Sequence, residues 1–397
     1  MSDLATDETT GKVTPPGAPS PGASSRWAAL RSAARLAAPA VLGYAAIRLL
    51  GIVVLLVWAG GDAWRLLGER FDSSWYVGIA DHGYDEAVPI GPDGRPRTTN
   101  LAFFPLYPAL IRVVGVLPVS LPVAGLIISW LAGLVAAWGI FAVGNHLGGR
   151  RAGTLLALLW AALPHGVVLA MGYTETLFTA FAAWTLYAVL TRRWLTAGAL
   201  CAVAGLTRAT AVALMAAVGV GALIAVLRRQ DGWRPWVAVA LAPLGFLGFV
   251  GWVGQRLGRI DGWFYVQGKI WGSSFDGGRF TLRTARAVLA GPDTALVIYV
   301  VTFVLAVAVV LFGLGLLDRL PWPVIVYSAV VLALVLGGAG YYHSKARLLL
   351  PAFTLLLPIA LAADRIRLRY QIATVGLLAA GSAWFGGHLA LAWPFSP

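Results

Sequence analysis

Cysteine is all but missing from this chain. The single Cys201 lies in an apolar run, so the 397 residues hold no intrachain disulfide and no cysteine metal site. Charge is also scarce: 12% of residues are charged and 59% hydrophobic, with a mean hydropathy of +0.78. That balance excludes an ordinary soluble domain. Acidic residues are the rarer kind, 17 against 30 basic ones, which leaves a net charge of +13. Such a surplus would suit nucleic acid. The arginines, however, cluster in short loops between apolar runs, as the positive-inside rule expects of a membrane protein, so nucleic acid is set aside as a partner. The first apolar run begins near Pro39 and has no cleavage-type end, so no signal peptide is read.

What is there is a succession of apolar runs long enough to cross a bilayer. Residues 1–25 are polar and rich in Ser, Thr, Pro and Gly, and a cytoplasmic tail of residues 1–35 is expected to be disordered. Arg26, Arg31 and Arg35 place the N-terminus inside. A single transmembrane domain, 36–397, follows. About eleven spans are expected in it, near 39–59, 121–145, 152–171, 174–190, 195–207, 209–228, 235–254, 294–317, 320–340, 348–363 and 371–392. This makes an all-α polytopic protein of the cell membrane. Its two large outer loops are 60–120 and 255–293, each carrying short interfacial helices, and its C-terminus lies outside.

Carboxylates gather in the first outer loop: Asp62, Glu69, Asp72, Asp81, Asp85, Glu86 and Asp93. A helix over 70–83 puts Phe71, Trp75 and His82 on one side and Asp72 and Tyr76 on the next. Aromatic anchors beside a carboxylate suit a helix lying flat at the membrane surface. Asp72 then either caps that helix or faces a reactant. Asp81 with His82 lacks the further ligands a metal needs; the pair reads as polar loop residues, with Asp81 as an alternative orienting partner for Asp72.

Other ionisable residues break the apolar pattern. Arg208, in Thr207-Arg208-Ala209-Thr210, is either a phosphate clamp or an arginine snorkelling to the outer interface. Glu175, at a span edge, can bind a sugar hydroxyl, pair with Arg208, or sit at a helix N-terminus favoured by the dipole. His343, Lys345 and Arg347 form a compact basic group on the outer side, against the positive-inside trend, and read as a phosphate or headgroup contact or as an interfacial anchor. Trp263, Tyr265, Gln267, Trp271 and Phe275 in the second outer loop suit either sugar stacking or an interfacial aromatic belt.

The run Phe71-Asp72-Ser73-Ser74-Trp75-Tyr76, then Ile79-Ala80-Asp81-His82-Gly83-Tyr84 and Ala102-Phe103-Phe104-Pro105, resembles the first outer loop of the PIG-V family of mannosyltransferases. That family is related to GPI mannosyltransferase 2 and has the GT-C architecture. Three further stretches resemble it: Tyr173-Thr174-Glu175 with Phe178, the Thr207-Arg208 region, and Arg347-Leu348-Leu349-Leu350-Pro351, which is similar to a late stretch of bacterial members. The family's Asn-Gly after the Arg208 region is absent, and His165 departs from its pattern. The resemblance implies an inverting mannosyltransferase with a polyprenyl-phosphate-mannose donor and a glycolipid, lipoglycan or protein acceptor. It implies Asp72 as general base. With the readings above, substrate contacts are expected from Tyr76, Asp81, Tyr84, Tyr173, Glu175, Arg208, His343, Lys345 and Arg347. No metal or cofactor is expected, because a lipid-monophosphate donor does not call for a divalent ion and the loop has no DxD motif. A lipid-linked sugar flippase and a non-catalytic assembly subunit are the competing readings. The flippase needs polar residues spread through several spans, whereas here the charges sit mostly at span edges.

Overall fold

The computed structural model describes residues 23–291, 294–363 and 365–397. It is a bundle of apolar helices with short helices and loops at one end. The described chain begins as helix, Ala23–Ala59, so the stretch from Ala23 to Arg35 is helical where a disordered tail was expected. Alanine, leucine and arginine are good helix formers, and in this stretch their propensity outweighs its polar start. The expectation for residues 1–22 lies outside the described residues.

Each expected span has a helix, or a pair of helices, at its place. Their lengths are uneven. By length and composition, five helices among the described residues can cross a membrane, or six if the bent pair Tyr342–Leu348 and Phe353–Ala363 is one span. Glu175–Leu190, Trp194–Ala204, Ala211–Leu227 and Trp322–Gly337 are shorter. At 1.5 Å per residue, 11 to 17 residues fall short of the roughly 30 Å hydrocarbon thickness. The bundle therefore contains non-helical backbone at helix ends inside protein, which is tolerated only where other groups satisfy it.

The second and third expected spans run on as one element, Leu121–Ala161, broken at Gly149 with φ 85° and ψ 174°. Only glycine holds that conformation cheaply. The break folds the chain back into a hairpin whose arms touch through glycines: a Cβ on Gly144 would lie 2.7 Å from Gly153 Cα. Small residues allow such close crossing without a hydrophobic driving force in lipid.

The loops sort into two sets. Arg192 pairs with Asp231 at 2.7 Å, and Arg151 donates to Ile366 O at 2.6 Å, which joins the arginine-rich turns to one another. At the other end, Leu106 N donates to Leu206 O and Gly172 N to Leu67 O, both at 2.9 Å. The second outer loop closes on the first there: Phe104 meets Trp263 at 5.7 Å, with Phe249 of the preceding helix Leu244–Arg256 at 4.7 Å, and the Trp271 indole donates to Thr99 O. Ser274–Phe275 pairs antiparallel with Gly338–Ala339. The aromatics of the second loop thus largely clamp the first loop, while Phe275 stays exposed.

Two outcomes follow. Cysteines at Ser74 and Ser274, in a Cys201→Ser background, should react together with an impermeant thiol reagent on intact cells, and one at Arg229 should not. Labelling at Arg229 alone would invert the orientation. At Gly149, where an added Cβ meets nothing within 4 Å, Gly149→Ala should cost about 1–3 kcal/mol through backbone strain alone. Gly219→Ala, in a helix and equally unobstructed, should leave thermal stability unchanged or slightly raised.

Candidate active site at the outer mouth of the bundle

The interfacial helix forms as Asp72–His82, with Ser73, Tyr76, Ile79 and Ala80 on its buried side. The chain enters it through Phe71 at φ 56°, costly for a bulky residue. Arg70 braces that turn by donating to Ala390 O at 2.8 Å, its guanidinium 4.6 Å from the Phe71 ring centroid. Asp72 occupies the first turn, where the helix dipole favours a carboxylate. It makes no capping bond to that helix; its side chain faces Arg347 instead.

Arg347 Nη2 lies 2.8 Å from Asp72 Oδ2, and Arg347 Nε lies 3.3 Å from Glu175 Oε1. Arg208 Nη1 reaches the same Oε1 at 2.8 Å. Two guanidiniums and two carboxylates thus form a chain, Asp72–Arg347–Glu175–Arg208. Its exposure is graded: the Glu175 side chain is 1% exposed, Arg347 10%, Arg208 13% and Asp72 24%. The inner contacts are charge contacts rather than aligned hydrogen bonds, because Glu175 Oε1 and Arg347 Nε have no partner of hydrogen-bonding geometry. Arg208 Nη1 donates to Thr174 Oγ1 at 2.9 Å, and the Tyr76 hydroxyl lies 3.3 Å from the same oxygen. Arg347 Nη1 donates to Ser396 Oγ at 2.7 Å, and the guanidinium lies 5.1 Å from the Tyr173 ring centroid. Burial raises the Tyr76 phenol well above the usual tyrosine range, against the pull of Arg208, so it stays neutral and able to donate.

The structure therefore brings together Asp72, Tyr76, Tyr173, Glu175, Arg208 and Arg347. It separates the other expected site residues from them. Asp81, at the far end of the helix, is exposed beside His82 at 3.5 Å. The Tyr84 hydroxyl donates to Phe103 O at 2.8 Å, and its ring packs on Trp252 at 5.1 Å, in the aromatic junction between the outer loops. The compact basic group is not one cluster. The Lys345 ammonium is buried against Val335 O and Gly338 O, satisfying carbonyls at the end of Trp322–Gly337. His343 stacks among Phe395, Trp393 and Tyr341. Arg347 alone enters the charge chain. Three residues at alternate positions leave the backbone in different directions, so proximity in sequence was no guide here.

Two contributors were missed. Ser396, which links Arg347 to Tyr173, carries no signal in sequence. Arg48 carries a plain one, a cation within the first apolar run. It is buried and donates to the carbonyls of Ala161 and Gly166, where the helix ends and the chain turns toward Tyr173 and Glu175. A groove of about 450 Å³ runs over the exposed face of the interfacial helix, lined by Ser74, Trp75, Gly78, His82, Tyr84, Asp85 and Asn100 among others, with no member of the charge chain in its lining.

No protein-family model and no curated protein sequence matches the chain. Solved structures do. The chain resembles ArnT from Cupriavidus metallidurans, solved bound to undecaprenyl phosphate, with a TM-score of 0.52 and 17% identity, covering 90% of this chain and 64% of ArnT. It also aligns with the Archaeoglobus fulgidus oligosaccharyltransferase at a TM-score of 0.48 and 14% identity, over 88% of this chain and 56% of that one. The chain thus spans less than two thirds of the length of either protein. The likeness to ArnT establishes the architecture: an all-α, polytopic fold of the GT-C type.

Proposed function

We propose that the chain is a glycosyltransferase that moves a sugar from a polyprenyl-phosphate carrier to an acceptor hydroxyl, with Asp72 as general base. The observation that carries this is the placement of Asp72. It is the most exposed member of a buried charge chain, at the mouth of a fold shared with a protein solved bound to undecaprenyl phosphate. The family resemblance in the first outer loop makes mannose the sugar and favours a glycolipid, lipoglycan or protein as acceptor.

The acceptor oxygen attacks the anomeric carbon from the face opposite the phosphate, and its proton passes to the Asp72 carboxylate. The bond from the anomeric carbon to the phosphate oxygen breaks, and polyprenyl phosphate leaves with that electron pair. The sugar's configuration inverts. Charge grows on the departing phosphate, and Arg347 and Arg208 are the cations at hand to hold it. Before the donor arrives, Glu175 keeps both guanidiniums compensated. An arginine left unpaired so deep in a membrane protein would be costly. Tyr76 and Tyr173 pack against the same charges, Tyr76 through the Thr174 hydroxyl and Tyr173 with its ring face toward Arg347. The groove past Trp75 offers the acceptor a route that does not cross the bilayer.

Asp72→Asn keeps the size of the side chain but takes away the proton acceptor. Initial transfer from polyprenyl-phosphate-mannose to a membrane lipid extract should fall about a hundred- to ten-thousand-fold, with the melting temperature within a few degrees of wild type. Asp81→Asn, exposed and outside the chain of charges, should transfer at the normal rate. Near-normal transfer by Asp72→Asn would return the residue to a purely structural ion pair.

Arg208 calls for a paired design because Glu175 depends on it. Arg208→Leu alone should destabilise the protein by roughly 3 kcal/mol, the scale for stranding a buried partner. Adding Glu175→Gln should restore much of the stability. If Arg208 holds donor phosphate, the stabilised double variant still binds polyprenyl phosphate weakly in a titration. Full recovery of binding would make Arg208 a counter-ion only.

A further inference from the structure

The helix Arg279–Ala290 lies in the second outer loop, just before the membrane helix Leu296–Leu317. Asp276 fixes its start by accepting from the backbone N–H of Gly278 at 2.9 Å and of Phe280 at 2.7 Å. One side packs inward. Thr281 and Val288 are buried, and the Thr281 hydroxyl donates to Leu336 O at 2.6 Å, in the last turn of Trp322–Gly337. The Tyr299 hydroxyl, from the first turn of Leu296–Leu317, donates to Gly291 O just past the helix end. The helix therefore lies across the ends of two apolar helices, at the level where their apolar stretches stop.

Its opposite side has no protein partner. Arg279, Arg283 and Arg286, spaced i, i+4 and i+7, fall on one stripe and are all exposed. Among the described residues none of the three guanidiniums has an ion pair or a side-chain hydrogen bond. Beside them stand Leu282, 52% exposed, and Leu289, 76% exposed. Acidic residues are frequent elsewhere in the outer loops, yet among the described residues none pairs with this stripe. Unpaired arginines above exposed leucines at this depth match the two layers of an anionic leaflet, phosphate outside and acyl chain beneath.

We propose that Arg279–Ala290 is a docking surface for anionic phospholipid of the surrounding outer leaflet, with the arginines on headgroup phosphates and Leu282 and Leu289 in the acyl boundary. The Phe280 ring lies 6.3 Å from that of Tyr342, and the Tyr342 hydroxyl lies 2.9 Å from Thr302 Oγ1. Lipid seated on the helix thus braces the turn that leads into Arg347.

The test uses the full chain in nanodiscs, with a fluorophore on Ala287→Cys in a Cys201→Ser background. Quenching by headgroup-nitroxide phosphatidylglycerol is compared with quenching by the matching phosphatidylcholine at equal mole fraction. We expect local enrichment of the anionic lipid by about fivefold or more. Triple replacement of the arginines by Gln should abolish it, and triple replacement by Lys should keep it, because a headgroup layer reads charge more than fork geometry. Arg283→Gln alone serves if the triple variant does not fold, and should lower the enrichment clearly. Equal quenching by the two lipids would overturn the proposal, as would enrichment that survives the Gln variants. Displacement by trace polyprenyl phosphate without any phosphatidylglycerol preference would assign the stripe to a donor lipid instead, and the proposal would fall.

Discussion

The outer end of this protein depends on one guanidinium. Arg347 contacts Asp72 and Glu175, donates to Ser396, and lies against the Tyr173 ring. Those partners come from the interfacial helix, the turn before Glu175–Leu190, and the C-terminal segment. Desolvating such a cation is expensive, and the expense is offset only when carboxylates and acceptors converge on it. Each of those segments is therefore held in place by a common electrostatic demand. The same demand leaves Asp72 anchored through one oxygen, at the rim rather than in the interior.

Other buried cations answer a different demand. Among the described residues Arg48 and Lys345 pair with no carboxylate; both donate to backbone carbonyls where helices stop inside the bundle. In lipid or in a dry protein interior, a carbonyl without a donor is costly. Short helices and breaks are what let the chain present Tyr173, Glu175 and Arg208 at the mouth, and these two side chains make the breaks tolerable. Buried charges in this bundle thus meet one of two kinds of partner: carboxylates for Arg347 and Arg208, carbonyls at helix breaks for Arg48 and Lys345.

The two outer loops work as one body. Phe104 packs on Trp263 between them, with Phe249 of the adjoining helix against Phe104, and Trp271 and Gln267 donate to carbonyls of the first loop. Beside these interlocked aromatics the groove past Trp75 stays open.

Much of this was legible in order along the chain. The apolar runs, arginine-rich turns and carboxylate-rich first loop were enough to read an all-α membrane bundle, an interfacial helix near 70–83 and Asp72 as its focal carboxylate. Those features are local: hydropathy and charge placement are decided residue by residue against lipid and water. Neighbours in sequence misled where direction mattered. His343, Lys345 and Arg347 looked like one basic group, yet one stacks on aromatics, one caps a helix and one joins the charge chain. Tyr84 and Asp81 share a helix end with no link to Arg347. Pairing of Arg208 with Glu175 was one of three open choices, and Ser396 gave no sign at all. Sequence by itself determined which segments seek the bilayer and which charged residues are costly enough to need a reason. Only the tertiary structure decided which partner each one found, because a buried charge takes the nearest opposite group in space, and that is fixed by how helices from distant parts of the chain cross.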